Sequence, residues 1–205
     1  VRPHVIVIQS EAYWDPALMH PELFVGESPG DLGVVCKRVE FYCHHGYTEV
    51  PSFGAKTANT EFEFLTGLSL TAFPKGAVPF VHYIHKPTPS LAWHFYQHGY
   101  KTIGMHPNPG YFWNRMKVYP RFGFEKFDDL ARFEQTDENH RYPSDRELTR
   151  VILKEMDNAQ KPTFLFAVSM ANHGPFNDNR FKDIDEISIN PKIRETLRSD
   201  ELRII

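Results

Sequence analysis

The sequence predicts an α/β domain, a three-layer α/β/α sandwich around a mostly parallel sheet. Three observations carry this. Short runs of strand length recur at Val5 to Gln9, Lys101 to Met105 and Thr163 to Met170, the first and last of them apolar. Segments with recognisable helix starts and stops lie between them. The resulting order, strand, loop, helix, strand, helix, strand, helix, is the alternation that builds parallel sheets.

Each element has a local reason. Val5 to Gln9 is a continuous apolar run, as expected for a strand covered on both faces. Residues 12–32 are rich in Pro, Gly and acid and read as loop, followed by a strand at Val34 to Tyr42. His44 to Lys56 carries Gly46, Pro51, Ser52 and Gly54 and reads as loop. Thr57 to Leu68 fits a helix, with Phe62, Phe64, Leu65 and Leu68 apolar, and residues 71–88 read as irregular. Pro89 to Gly99 is a helix that Ser90 can cap and Gly99 can stop. After the strand at 101–105, His106 to Gly110 is a turn. Val118 to Phe127 reads as irregular, with a short strand at Phe127 to Leu130. Ser144-Asp145-Arg146-Glu147 is a capping box opening a helix to about Asn158. The strand Thr163 to Met170 follows, then loop at 177–191 and a helix from 192.

Composition bounds the rest. The 205 residues are 41% hydrophobic and 24% charged, a globular composition with chain enough to bury a core without cross-links. The length reads as one large domain, 1–205. A formal net charge of −3 gives no electrostatic footprint for nucleic acid. No run approaches the roughly 18 apolar residues of a membrane span, and no signal peptide opens the chain, so this piece reads as soluble. The 17 Phe, 16 Pro and 11 His suit a loop-rich enzyme surface better than a helical bundle. Cys36 and Cys43 are too few for a disulfide framework; they read as free thiols or as one pair. The chain opens almost directly into a strand and closes on Leu202-Arg203-Ile204-Ile205 within a helical pattern, so it reads as a piece of a longer protein.

Function in parallel sheets sits at the carboxyl ends of the strands. The first strand is followed by Ser10-Glu11, the second by His106-Pro107-Asn108, the last by Asn172-His173-Gly174-Pro175. Glu11 there suits a hard metal ion, or a helix cap or water. Thr57 suits a helix N-cap, and equally a nucleophile favoured by the positive helix end. His173 sits in a Gly-Pro turn that can present its ring. Arg115 can hold a phosphate bidentately and Trp113 can wall a pocket, or the two belong to an aromatic cluster with a surface arginine. There is no Gly-rich nucleotide loop, no Gly-x-Ser-x-Gly elbow and no zinc spacing around the cysteines.

Five ordered blocks then carry a resemblance. They are Val5 to Pro16 (VIVIQSEAYWDP), Ala55 to Ser69, Pro74 to Pro79 (PKGAVP), His106 to Arg115 (HPNPGYFWNR) and Ala171 to Pro175 (ANHGP). Together they resemble the catalytic domain of the lipoteichoic acid synthase and phosphoglycerol transferase family, of the alkaline phosphatase and sulfatase superfamily. The resemblance spans about residues 3–180, the N-terminal portion of such a domain.

The resemblance implies Glu11 as metal ligand and Thr57 as both ligand and nucleophile. It implies His106, Asn108, Trp113, Arg115 and His173 around a glycerophosphate head group. The implied metal is Mn2+, with Mg2+ as alternative. The implied reaction moves glycerophosphate from phosphatidylglycerol, through a phospho-threonine, to a cell-envelope glycan or teichoic acid. The implied location is the outer face of the cytoplasmic membrane. Some family members carry an aspartate at the position of Asn108 and an acid at that of Met116, so this chain has less negative charge there. The family's Asp-His metal ligands lie further downstream, and no Asp-His dipeptide occurs in this chain, which alone is expected to be inactive. The alternatives are a related phosphatase, sulfatase or phosphoethanolamine transferase, or a non-catalytic glycerophosphate-binding module. The Cys/Ser-x-Pro-x-Arg motif of sulfatases is absent.

Overall fold

The computed structural model describes residues 2–10, 12–13, 22, 46, 48–52, 55–134 and 142–174. Glu11, the strand expected at 34–42, both cysteines and the helix expected from 192 lie outside the described residues. The chain divides into two units, Val1–Ala12 with Val50–His173, and Tyr13–Glu49 with Gly174–Ile205. Every element below belongs to the first.

Four parallel strands form the sheet: β1 (Val5–Gln9), β2 (Lys101–Met105), β3 (Lys126–Asp128) and β4 (Thr163–Val168), in the order β1-β4-β2-β3. β4 is central: Phe164 pairs with Val5 on one side and Thr102 on the other. All six β4 residues are buried, as its unbroken apolar run requires.

Successive β4 side chains point to opposite faces. Phe164, Phe166 and Val168 enter one core with Ala58, Phe62 and Leu65 of α1 (Thr57–Thr66) and Phe80 of α2 (Pro79–His82). Ala92 of α3 (Leu91–Gln97) and Val118 and Tyr119 of α4 (Arg115–Arg121) complete it. Leu165 and Ala167 enter a second core with Ile103 and Met105 of β2 and Leu148, Val151 and Ile152 of α5 (Asp145–Asp157). Helices thus cover both faces of the sheet.

Four sequence expectations need correction. β1 is an edge strand among the described strands, and only Val5 and Val7 pack on a core; Ile6 and Ile8 are 42% and 54% exposed. The stretch expected to be irregular from Val118 begins inside α4. Pro120 falls one residue before the end of this helix, so the hydrogen bond it forfeits lies in the closing turn. The capping box closes by half. Ser144 accepts from the Glu147 N–H at 3.2 Å, but the buried Glu147 carboxylate accepts from the Glu134 N–H at 3.0 Å and pairs with Arg150. Ser90 caps α3 as expected, accepting from Trp93 N–H. The segment 71–88 also holds more order than expected, in α2 and a 3-10 turn at Leu70–Ala72.

Candidate active site

Because all strands run parallel, their carboxyl ends share one edge of the sheet. His106 and Asn108 follow β2 there, and Ser169 to His173 follow β4.

Thr57 is the first residue of α1 and is half-buried. The N-cap is Lys56, not Thr57, and it makes no side-chain capping bond. No acid stands in the first turn. The Asn59 N–H donates to the Lys56 carbonyl at 2.8 Å, and among the described residues the N-cap side chain bonds none of the first amides, an arrangement that favours an anion beside the hydroxyl.

Backbone strain marks the same places. Among the described residues, the non-glycine residues with positive φ are Ala12, Ala55, Lys56, Trp113 and Asn114. Each lies within two positions of Glu11, Thr57 or Arg115 in sequence. Such conformations cost roughly 1–3 kcal/mol each and persist where surrounding packing imposes them, commonly at functional sites.

Arg115 is not a surface arginine. It is 1% exposed, and Nε donates to both Glu61 carboxylate oxygens at 3.2 and 3.1 Å, while Nη2 donates to Oε1. Nη1 donates to the Phe112 carbonyl at 3.2 Å. The Tyr119 hydroxyl donates to Glu61 Oε2 at 2.8 Å. Burial, followed by the Glu61 charge, pushes the Tyr119 pKa well up, so the phenol stays a donor. A Cβ on Gly104 would stand 2.2 Å from Tyr119 Cδ1, so this strand position must be glycine for the ring to lie on β2.

His106 is 1% exposed, and its Nδ1 lies 3.0 Å from the Val168 carbonyl. A carbonyl only accepts, so Nδ1 carries the hydrogen and Nε2 is the acceptor. Burial holds its pKa well below the usual histidine range, and the positive charge of Arg115 adds to that. His173 acts in the same direction more weakly, so the two rings and the guanidinium share one electrostatic neighbourhood. The His173 ring is exposed and meets Tyr142 edge-on, with centroids 5.7 Å apart. Its loop is held by the Asp145 carboxylate, which accepts from the Ser169 hydroxyl and the Ala171 N–H. Asn108 is buried, with its backbone tied to His106 and Leu130. Trp113 is half-buried against the first core, on the segment that leads into Arg115.

The structure therefore gathers His106, Arg115 and His173, and sets Thr57 one helical turn before the carboxylate that holds Arg115. Glu61, Tyr119 and Asp145 did not emerge from sequence reasoning. Glu61 had a readable signal: Ala58, Glu61, Phe62 and Leu65 follow the spacing of a core-facing helix stripe, and an acid in such a stripe calls for a buried partner. Among the described residues, no three His, Cys, Asp or Glu side chains come together as a metal site. A cavity of about 180 Å³ adjoins the start of α1, lined by Ser52, Lys56, Asn59 and Lys75. A larger hollow of about 460 Å³ lies against α3, which leads into the amino end of β2, and holds none of these groups.

A family model for sulfatases matches residues 3–196. A putative cyclic beta-1,2-glucan modification protein of Rhizobium meliloti (strain 1021) is 37% identical over 180 residues, covering 88% of this chain and 27% of that protein. The Streptococcus pyogenes phosphoglycerol transferase GacH, solved in complex with sn-glycerol-1-phosphate, superposes with a TM-score of 0.69 at 26% identity, over 86% of this chain and 46% of that one. The Listeria monocytogenes lipoteichoic acid synthase LtaP superposes with a TM-score of 0.68 at 21% identity, over 98% of this chain and 48% of that one. The chain spans about a quarter of that curated relative and about half of each solved chain.

Proposed function

The chain belongs to the sulfatase family, in the group that holds the lipoteichoic acid synthases and phosphoglycerol transferases, and from that premise we propose that it carries the nucleophile and head-group pocket of a phosphoglycerol transferase. Phosphoryl transfer is the chemistry its relatives support. The observation that carries the finer reading is Thr57 at an uncapped, strained helix start, one turn from the Glu61–Arg115 pair.

In this reading Thr57 Oγ1 attacks the phosphorus of phosphatidylglycerol. The P–O bond to diacylglycerol breaks, and diacylglycerol leaves with the proton that Thr57 gives up. An acceptor hydroxyl then attacks the phospho-threonine, and Thr57 recovers a proton. The α1 amides and Arg115 stabilise charge on the phosphoryl oxygens. His106 Nε2 accepts from a glycerol hydroxyl, Trp113 and Asn108 wall the pocket, and His173 stands at its exposed side. Enzymes of this superfamily use a divalent metal; we assign Glu11 and Thr57 as oxygen ligands to Mn2+, or alternatively Mg2+, which when bound would neutralise phosphoryl charge. The acceptor is a cell-envelope glycan at the outer face of the cytoplasmic membrane, in preference to a teichoic acid, because the Rhizobium relative is named for glucan modification. Among the described residues no helix is long and apolar enough to cross a membrane.

The test is the full-length protein with phosphatidylglycerol, followed by diacylglycerol release and intact mass. Wild type should release diacylglycerol and carry one glycerophosphoryl group on Thr57. Thr57→Ala should lose both, by about 10³-fold or more in turnover. Undiminished release by Thr57→Ala overturns the assignment.

A further inference from the structure

Glu61 occupies a core position of α1 yet carries a charge. It is 0% exposed, and aromatic rings enclose its partners: Tyr119 meets Phe80, Phe124, Phe127 and Phe166. Stability alone is a poor reason for such a placement, since apolar packing commonly replaces a buried ion pair without loss. The surroundings are arranged around it all the same. β2 keeps Gly104 so that Tyr119 can reach the carboxylate. Trp113 and Asn114 hold left-handed backbone immediately before Arg115. Phe112 supplies a carbonyl to the Nη1 edge, while Glu61 takes Nε and Nη2. The guanidinium is thus gripped on both edges, and its plane is set by a carboxylate on the helix that Thr57 begins.

We propose that Glu61 is a positioning residue: with Tyr119 it fixes the Arg115 guanidinium to the Thr57 helix, so that nucleophile and phosphate grip move as one unit. This rests on the transferase reading above. Glu61 takes the Nε and Nη2 edge and the Phe112 carbonyl takes Nη1, so the plane of the guanidinium is fixed by these partners. Orientation of that kind needs the planar fork of arginine, which a lysine cannot supply.

The test uses the full-length protein, with turnover of phosphatidylglycerol and calorimetric binding of sn-glycerol 1-phosphate as separate readouts. The variants are Glu61→Gln, Glu61→Asp, Tyr119→Phe, Arg115→Lys and the double variant Glu61→Gln/Arg115→Lys, all assayed below their melting points. Glu61→Gln should lower kcat/KM about 10- to 100-fold, the scale of a small misplacement at a reacting centre. It should weaken glycerophosphate binding in parallel, and Glu61→Asp should restore part of both. The double variant should be no worse than Arg115→Lys alone. A Glu61→Gln protein that melts earlier but keeps wild-type kcat, KM and binding overturns the proposal and leaves a purely structural pair. If Glu61→Gln fails to fold, Tyr119→Phe decides: a several-fold rise in KM supports the role, and an unchanged KM overturns it. Wild-type protein without turnover or glycerophosphate binding overturns the transferase reading and this role together.

Discussion

His106 shows how a single residue couples fold to chemistry. Its Nδ1–H is committed to the Val168 carbonyl, so β4 sets the tautomer of a residue that follows β2. Its pKa is lowered by burial and by Arg115. The unfolded chain, near the ordinary histidine value of about 6.5, therefore takes a proton before the folded one does. The sign follows: stability is fully present above about pH 6.5 and is lost as pH falls below it. We expect the melting temperature to drop between pH 7 and pH 5, and the His106→Gln variant to lose part of that slope, as thermal unfolding across the range would measure. A slope unchanged by His106→Gln would remove this account. The sequence pointed to His106, Asn108, Trp113, Arg115 and His173 by their place after strands and by resemblance. It carried a signal for Glu61, an acid in the core-facing stripe of α1, but not its partners: Arg115 lies 54 residues away, the Tyr119 hydroxyl that also reaches Glu61 lies further still, and only packing reveals either.

At the scale of elements, close approach of β2 and α4 is the sensitive joint. Gly104 is buried in β2, and any side chain there meets the Tyr119 ring rather than the free end of a flexible group. Gly104→Ala should cost about 1–3 kcal/mol, the usual range for overpacking a filled core. It should also displace Tyr119 from Glu61 and so lower kcat/KM in the same direction as Tyr119→Phe. Denaturant unfolding beside the turnover assay checks both parts; a stable, fully active Gly104→Ala protein contradicts them. Strands and the longer helices were legible because their signals are local. Apolar runs marked β1 and β4, and Ser90 and Ser144 marked helix starts that the hydrogen bonds bear out. α4 was missed because a proline near a helix end looks, in sequence, like one in its interior. Glu147 left the capping box because Glu134, brought close by the fold, offered a backbone donor.

The whole molecule divides its chemistry between what is local and what is assembled. Thr57, Arg115 and His106 stand on one unit, while a metal site needs ligands that do not converge among the described residues. We expect chelation of divalent ions to abolish turnover by the full-length protein, Mn2+ to restore it better than Mg2+, and Glu11→Gln to weaken Mn2+ binding by at least about tenfold, the order expected for losing a ligand's support. Turnover that persists after exhaustive dialysis against chelator would remove the metal from the mechanism. By itself the sequence determined the α/β class, the positions of β1, β2 and β4 and the residue types at the strand ends. Those depend on periodicity, turn chemistry and the direction of the chain, all of which act over a few residues. Tertiary structure alone decided that Ile6 and Ile8 of β1 are exposed, that Arg115 is buried, and that Glu61 holds it beside the Thr57 helix. Those depend on which distant side chains come to share a space too small for water, and no local pattern encodes that.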